Sequence, residues 1–436
     1  MMGEMRHRAK IDRRTRNKKF GIPNIMTLDY PIFVAAFEMK KIKVILSIAL
    51  FVIAAVGCEK FLPKTPEDDS ILDGPVEGLS NEQNAAFLRG DIAFNDEVFT
   101  VQTGLGPLFV ATSCGSCHAG DGKGHPFTTL TRFGQTDTFG NQFLQQGGPQ
   151  LQNRAIPGVT PEQIPAGTPF SKFTPPANTG LGFLEAVPDA SLLALADPND
   201  ANGDGISGRP NWINIPQYCI IRPGTIERNG KYIGRFGKKA AVYDLLQQTV
   251  NAYNQDMGVN STYEHYNTYT GLEVDPEITN QTALDVVFYL QTLKAPIQRD
   301  QDDADVIAGR QIFLNISCGK CHTPQLQTGN SPIAALSNKT FFPFTDLLLH
   351  DMGPGLNDGY TEGTALPGEW RTPALWGLGL SKNSQGGQYF LLHDGRAKSI
   401  DEAILMHGGE AEQSKNSFQS LNAVDKAKLI KFLESL

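Results

Sequence analysis

The hydrophobic pattern of the chain changes character near position 57. Before it, residues 44–56 form an apolar run behind Lys40, Lys41 and Lys43. That run is short for a membrane span, which takes about 20 residues, and suits the apolar core of an export signal. After it, apolar positions recur at helical spacing in short stretches only. Helices are predicted over residues 81–94, from near Asp303, over 234–258 with 240–254 as the regular part, and over 400–406 and 423–435. In the last, Leu429, Ile430, Phe432 and Leu433 share one side. The 44 glycines and 27 prolines interrupt the rest, and residues 121–230 read as loops. The expected fold is mainly α with long loops.

The apolar run ends Ala-Ala-Val-Gly-Cys58. Small residues before a cysteine resemble a bacterial lipoprotein signal, with Cys58 as the acylated first mature residue and Met39 as the better-formed start. An uncleaved N-terminal anchor is the alternative. Both put the body outside the cytoplasm, on the periplasmic side of the cell envelope. Two or more acyl chains hold a protein at a membrane where one does not. Residues 1–57 are then the upstream segment and signal, and 58–80 a polar tether.

Charge sharpens the division. Residues 1–57 hold 11 of the 38 basic and 4 of the 46 acidic residues, which leaves 27 basic and 42 acidic after them, a net of −15. A body this acidic excludes nucleic acid as a partner, because that binding rests on neutralising phosphates.

With Cys58 assigned to lipid, four of the other five cysteines form two Cys-x-x-Cys-His motifs: Cys114-Gly-Ser-Cys117-His118 and Cys318-Gly-Lys-Cys321-His322. Two thioethers fix the vinyl edge of a haem, and the adjacent histidine falls under the iron. A single motif could be half of a zinc site. Two, with no further pair to complete zinc tetrahedra, predict two covalent c-type haems. Cys219, beside Ile220 and Ile221, reads as a small buried hydrophobe.

The surroundings of the motifs repeat. Gly90-Asp-Ile-Ala-Phe94 precedes the first and Gly309-Arg-Gln-Ile-Phe313 the second. Downstream, Arg209-Pro210 and Gly234-Arg235 answer to Arg371-Thr-Pro373 and Gly395-Arg396, 25 and 24 residues apart. The charged run from Arg299 to Asp303 marks a boundary. Two cytochrome c-like haem domains in tandem are expected, at 81–298 with loop insertions and 299–436. Arg209, Arg235, Arg371 and Arg396 are candidate propionate partners, since a guanidinium meets carboxylates bidentately. Surface salt bridges are the other reading.

From about residue 85 onward the chain resembles the bacterial di-haem oxidoreductases, the peroxidase-like or thiol oxidoreductase family. It is more distantly similar to di-haem cytochrome c peroxidases and the methylamine-utilisation di-haem enzyme. The residues carrying this are Asp204-Gly-Ile-Ser-Gly-Arg209-Pro-Asn, Gly234-Arg-Phe-Gly237, Leu349-His-Asp-Met-Gly353, Glu369-Trp-Arg-Thr-Pro373, His393-Asp-Gly-Arg396 and His407-Gly-Gly-Glu410. The resemblance implies a sixth ligand for the second haem at His407, with Met406 as the alternative. It implies packing or hydrogen-bonding roles for His350, His393 and Met352. It also aligns Gln248 and Asp256-Met257-Gly258 with a distal glutamine and acid, although the acid is aspartate here and the spacing two residues shorter.

Asp200, Asn202 and Asp204 alternate as oxygen donors before Gly205, like the start of an EF-hand loop, but Asn211 stands where the bidentate glutamate belongs. A calcium ion or a plain Asx-rich turn fits. The functional expectation is a peroxidase-type oxidoreductase with an open first haem, served by a redox partner protein or quinol. The alternatives are a pure electron carrier, oxidation of a thiol or protein side chain, and a lipoprotein serving iron or haem uptake.

Overall fold

The longer helices that frame the interior begin where a short polar side chain takes free N–H groups. In a computed structural model that describes residues 74–135, 149–265 and 276–436, helix α1 (Asn81–Asn95) is closed by a Ser80/Gln83 capping box. Short helices α2 (Leu181–Glu185) and α3 (Asp189–Leu195) follow. Asp244 caps α4 (Leu245–Met257), Thr279 caps α5 (Asn280–Thr292) and Asp303 caps α6 (Ala304–Asn315). After α7 (Ser381–Ser384) come α8 (Ile400–Leu405), α9 (Glu412–Ser420) and α10 (Ala423–Ser435), with Ser399 capping α8 and Asn422 capping α10. The strands are two to four residues long and pair only two at a time, among them Leu349–Asp351 with Glu369–Arg371. The described residues lie within one compact unit, Thr65–Leu436. The expected signal and the expected lipid site Cys58 lie outside the described residues.

Two helix crossings organise the interior, and they match. Helix α1 packs on α5 and α6 on α10. At each crossing a glycine brings the backbones together: a Cβ on Gly90 would fall on the Asp285 carbonyl, and one on Gly309 on the Lys428 carbonyl. Four residues on, Phe94 meets Tyr289 at 5.5 Å and His118 at 5.9 Å. Phe313 meets Phe432 at 5.5 Å and His322 at 6.4 Å. The same glycine–aromatic spacing thus sets one ring against each motif histidine.

Helix α5 has no counterpart among the sequence expectations, although it supplies the partner of α1. The expected helix over 234–258 starts only at Leu245. Before it, Phe236 bridges Val242 and Ala240 takes a left-handed φ of 50°, so the Gly-Arg element is a turn. Within residues 121–230, α2, α3 and the ladder of Leu130–Phe133 with Phe170–Phe173 replace uniform loop.

Candidate functional site

Both Cys-x-x-Cys-His motifs fold as tight turns. The Cys114 carbonyl accepts from the N–H groups of Cys117 and His118, each at 3.0 Å. The Cys318 carbonyl accepts from the N–H groups of Cys321 and of His322, the latter at 3.0 Å. Thiols and imidazole therefore project from one turn. Each histidine is held by its Nδ1–H, that of His118 on the Pro176 carbonyl at 2.9 Å and that of His322 on the Phe344 carbonyl at 3.0 Å. Such a bond selects the tautomer whose Nε2 carries the lone pair a metal needs. Burial lowers both imidazoles to about 4, which keeps them neutral. It pushes the Cys114 thiol up to about 12 and Cys117 to about 11, with Asp256 adding to both. Cys318 is also pushed to about 12. All six groups retain some solvent contact. Among the described residues, no three His, Cys, Asp or Glu side chains gather as metal ligands. The donor set fits a haem at each turn.

The other histidines separate by what their rings already do. His407 repeats the pattern of the motif histidines: Nδ1–H donates to the Ala403 carbonyl at 2.7 Å. It lies near enough to His322 to lower that ring further, second only to burial. Met406 instead packs with the core around Phe313, Phe344 and Phe432. His350 has neither nitrogen free. Nε2 meets Asp346 at 2.8 Å and Nδ1 meets Glu410 at 2.7 Å, with the Cys321 sulfur 3.5 Å away. Burial opposes a charge there, but the bonds to Asp346, Cys321 and Glu410 outweigh it and raise the imidazole. His393 lies on Trp370 at 3.7 Å and 8°, with Nε2 on Asp358 at 2.8 Å. Met352 packs beside Trp370 and Leu356.

Asp256 is at the first motif. It acts electrostatically on both Cys114 and Cys117. Its carboxylate accepts from the Gln150 amide. Burial pushes Asp256 up to about 6, against the pull of Gln150 and Arg132. Arg132 is held by Glu362 and Gln255, each at 2.7 Å. Gln248 lies more than two turns, ~12 Å of helix rise, before Asp256, and among the described residues its amide makes no hydrogen bond. Residues the sequence reading passed over stand closer. Tyr253 and Glu97 both act on or are acted on by Cys114, and the Tyr253 hydroxyl and one Glu97 oxygen have no hydrogen-bond partner. Helical spacing could have flagged Tyr253, which shares a face with Asp256. Nothing local marks Gln150 or Arg132, which reach the site from a distant ladder.

The four arginines differ. Arg209 pairs with Glu369, Arg235 is buried on Asp189, and Arg396 binds Asp394 at 2.7 Å and Asp358 at 3.4 Å. Arg371 donates only to the Gly237 and Thr372 carbonyls, at 2.9 and 3.2 Å. In the Asp200 turn, the oxygens of Asp200, Asn202 and Asp204 accept backbone N–H groups of the same turn, and Asp204 binds Lys320 of the second motif at 2.9 Å.

The family described as "Di-haem oxidoreductase, putative peroxidase" matches residues 172–436. That stretch includes the second motif, Asp256 and His407, and begins after the first motif. No curated protein matches the sequence. Among solved structures, hydrazine synthase of Kuenenia stuttgartiensis, pressurised with 20 bar xenon, is similar over 86% of this chain and 93% of its own, at 13% identity and a TM-score of 0.39.

Proposed function

The chain belongs to the di-haem oxidoreductase family, and from that membership we propose that it is an exported c-type cytochrome of peroxidase type with two unequal haems. One is attached at Cys114, Cys117 and His118, the other at Cys318, Cys321 and His322. Bound there, a haem supplies one-electron chemistry, and one with a weak or vacant axial position also admits a small oxidant such as peroxide.

The observation that carries the reading is the difference between the two surroundings. Beside His322 stands His407, its Nδ1–H tied back and its Nε2 free. Two strong ligands suit electron relay. Beside Cys114 and Cys117 stands Asp256, a carboxylate with its affinity for protons raised toward neutrality. Such a group accepts a proton and returns it near working pH, as general acid–base chemistry demands. Gln150 orients the carboxylate, and Arg132, anchored on Glu362, limits how far its proton affinity rises.

The matching helix crossings at Gly90 and Gly309 support two cytochrome c-like units, residues 81–298 and 299–436. The apolar run and Cys58 support a lipid-anchored protein on the periplasmic side, fed by a redox partner. EPR and resonance Raman spectra test the asymmetry: one high-spin and one low-spin iron are expected. The reduced protein should be oxidised rapidly by hydrogen peroxide. Two low-spin irons with no peroxide reaction would instead make it an electron carrier.

A further inference from the structure

Adjacent lysines in the Gly-Arg turn are treated very differently by the fold. Lys239 is buried, yet its ammonium donates to the carbonyls of Leu366, Pro367 and Glu369 at 2.9, 3.2 and 2.8 Å and lies 3.8 Å from the centre of the Trp370 ring. Among the described residues, the Lys238 ammonium has neither a hydrogen bond nor an ion pair. Its charged neighbours are Lys123, Arg371 and the single carboxylate Asp394, and it is close enough to His118 to act on that imidazole. Among the described residues, the Lys123 ammonium is also without a bonded partner, and Asp394 is the carboxylate in its reach.

Backbone bonds hold these groups together. Arg371 N–H donates to the Lys238 carbonyl at 3.0 Å. Gln385 and Ser384 hold the carbonyls of Gly124 and Lys123, each at 2.8 Å. Gly124 N–H donates to Pro175, next to the Pro176 carbonyl that holds His118, and Thr174 N–H donates to His393, next to Asp394. Lys123 and Lys238 thus share one carboxylate, Asp394, already bonded to Arg396 at 2.7 Å, and Arg371 has within reach only Asp346, already bonded to His350. Charges that are desolvated and unpaired are unfavourable. Burial accordingly lowers Lys238 well below the usual lysine range, with Lys123 and Arg371 adding to it, and lowers Lys123 to about 8.

We propose that Lys123, Lys238 and Arg371 form a carboxylate clamp at the rim of the first motif, and that the two propionates of the haem attached there occupy it. The inference rests on the reading that Cys114, Cys117 and His118 carry a haem. Two propionates supply negative charge to cations whose carboxylates are already bonded elsewhere. Of the four arginines picked out by the repeat, Arg371 alone is without a carboxylate in bonding distance, so the lysines complete the set.

Lys123→Gln and Lys238→Gln, each in the full-length protein, test the clamp, with Lys238→Arg as the conservative control. Covalent haem per chain is measured first by mass, and the two haems are then titrated spectroelectrochemically. Each neutral variant should disfavour reduction of the first haem about tenfold, equivalent to about 59 mV for one electron, while the second haem titrates as in the parent and Lys238→Arg restores the first. Variants carrying two haems with unchanged titrations would overturn the clamp and leave haem attachment standing. A chain with no haem at Cys114 and Cys117 would overturn the reading beneath it. Acetate added to the parent protein separates the two sources of carboxylate: no spectral change is expected, and a saturable change at the first haem would assign the clamp to a free ligand.

Discussion

His407 and His322 are held alike: each donates Nδ1–H to a backbone carbonyl, at 2.7 and 3.0 Å, and His407 lies within electrostatic reach of His322. Two imidazoles with Nε2 free and a shared neighbourhood can bind one iron from opposite sides. His407→Ala should convert the second haem from low spin to high spin and leave the first unchanged by EPR. His407→Met should keep it low spin and favour its reduction, because thioether ligation raises the potential. Spectra identical to the parent's for both variants would refute the assignment.

Asp256 predicts a pH profile. Its carboxyl protonates near pH 6, where an ordinary aspartate would still be ionised. A peroxide reaction that uses the carboxylate as base should therefore weaken as pH falls through about 6. Asp256→Asn should slow the reaction roughly 10²–10⁴-fold and abolish that limb. Stopped-flow rates between pH 5 and 8 decide it.

His350 joins Asp346 to Glu410 beside Cys321. Replacing it by leucine leaves two carboxylates without their cation. The cost should be about 3–5 kcal/mol, read as a lower denaturant midpoint at neutral pH. The second haem should retain its low-spin signal if folded, because both ring nitrogens of His350 are already bonded to carboxylates.

The glycine crossings make a structural prediction. Gly309→Ala places a methyl group on the Lys428 carbonyl, and Gly90→Ala does the same at Asp285. Each should cost about 1–3 kcal/mol by forcing the helices apart. Urea denaturation measures this.

A calcium ion entering the Asp200 turn has to compete with Lys320 for Asp204. Lys320→Ala should therefore tighten calcium binding in calorimetry. Equal or weaker binding by the variant would remove the turn as a calcium site.

Much of this was legible locally. Motif spacing, the Gly-x-x-x-Phe helices and the closing helix Ala423–Ser435 are each written in fewer than fifteen consecutive residues, because turns and helix faces are short-range properties. The start of α4 was not, since the Phe236–Val242 bridge occupies residues that helical spacing alone would continue through. Helix α5 escaped notice because the fold buries it on several sides, leaving no clean polar face: Ala283, Val286, Val287 and Leu290 are buried along with Asp285.

By itself, then, the sequence determined where cysteine pairs and their histidines lie and which helices approach through glycine. Tertiary structure decided the division of labour among identical side chains. It gave His350 two carboxylates and His407 a carbonyl, paired three arginines and left Arg371 to carbonyls, and satisfied Lys239 while isolating Lys238. Hydrogen-bond satisfaction and charge pairing depend on groups up to hundreds of residues away, and no local pattern records them.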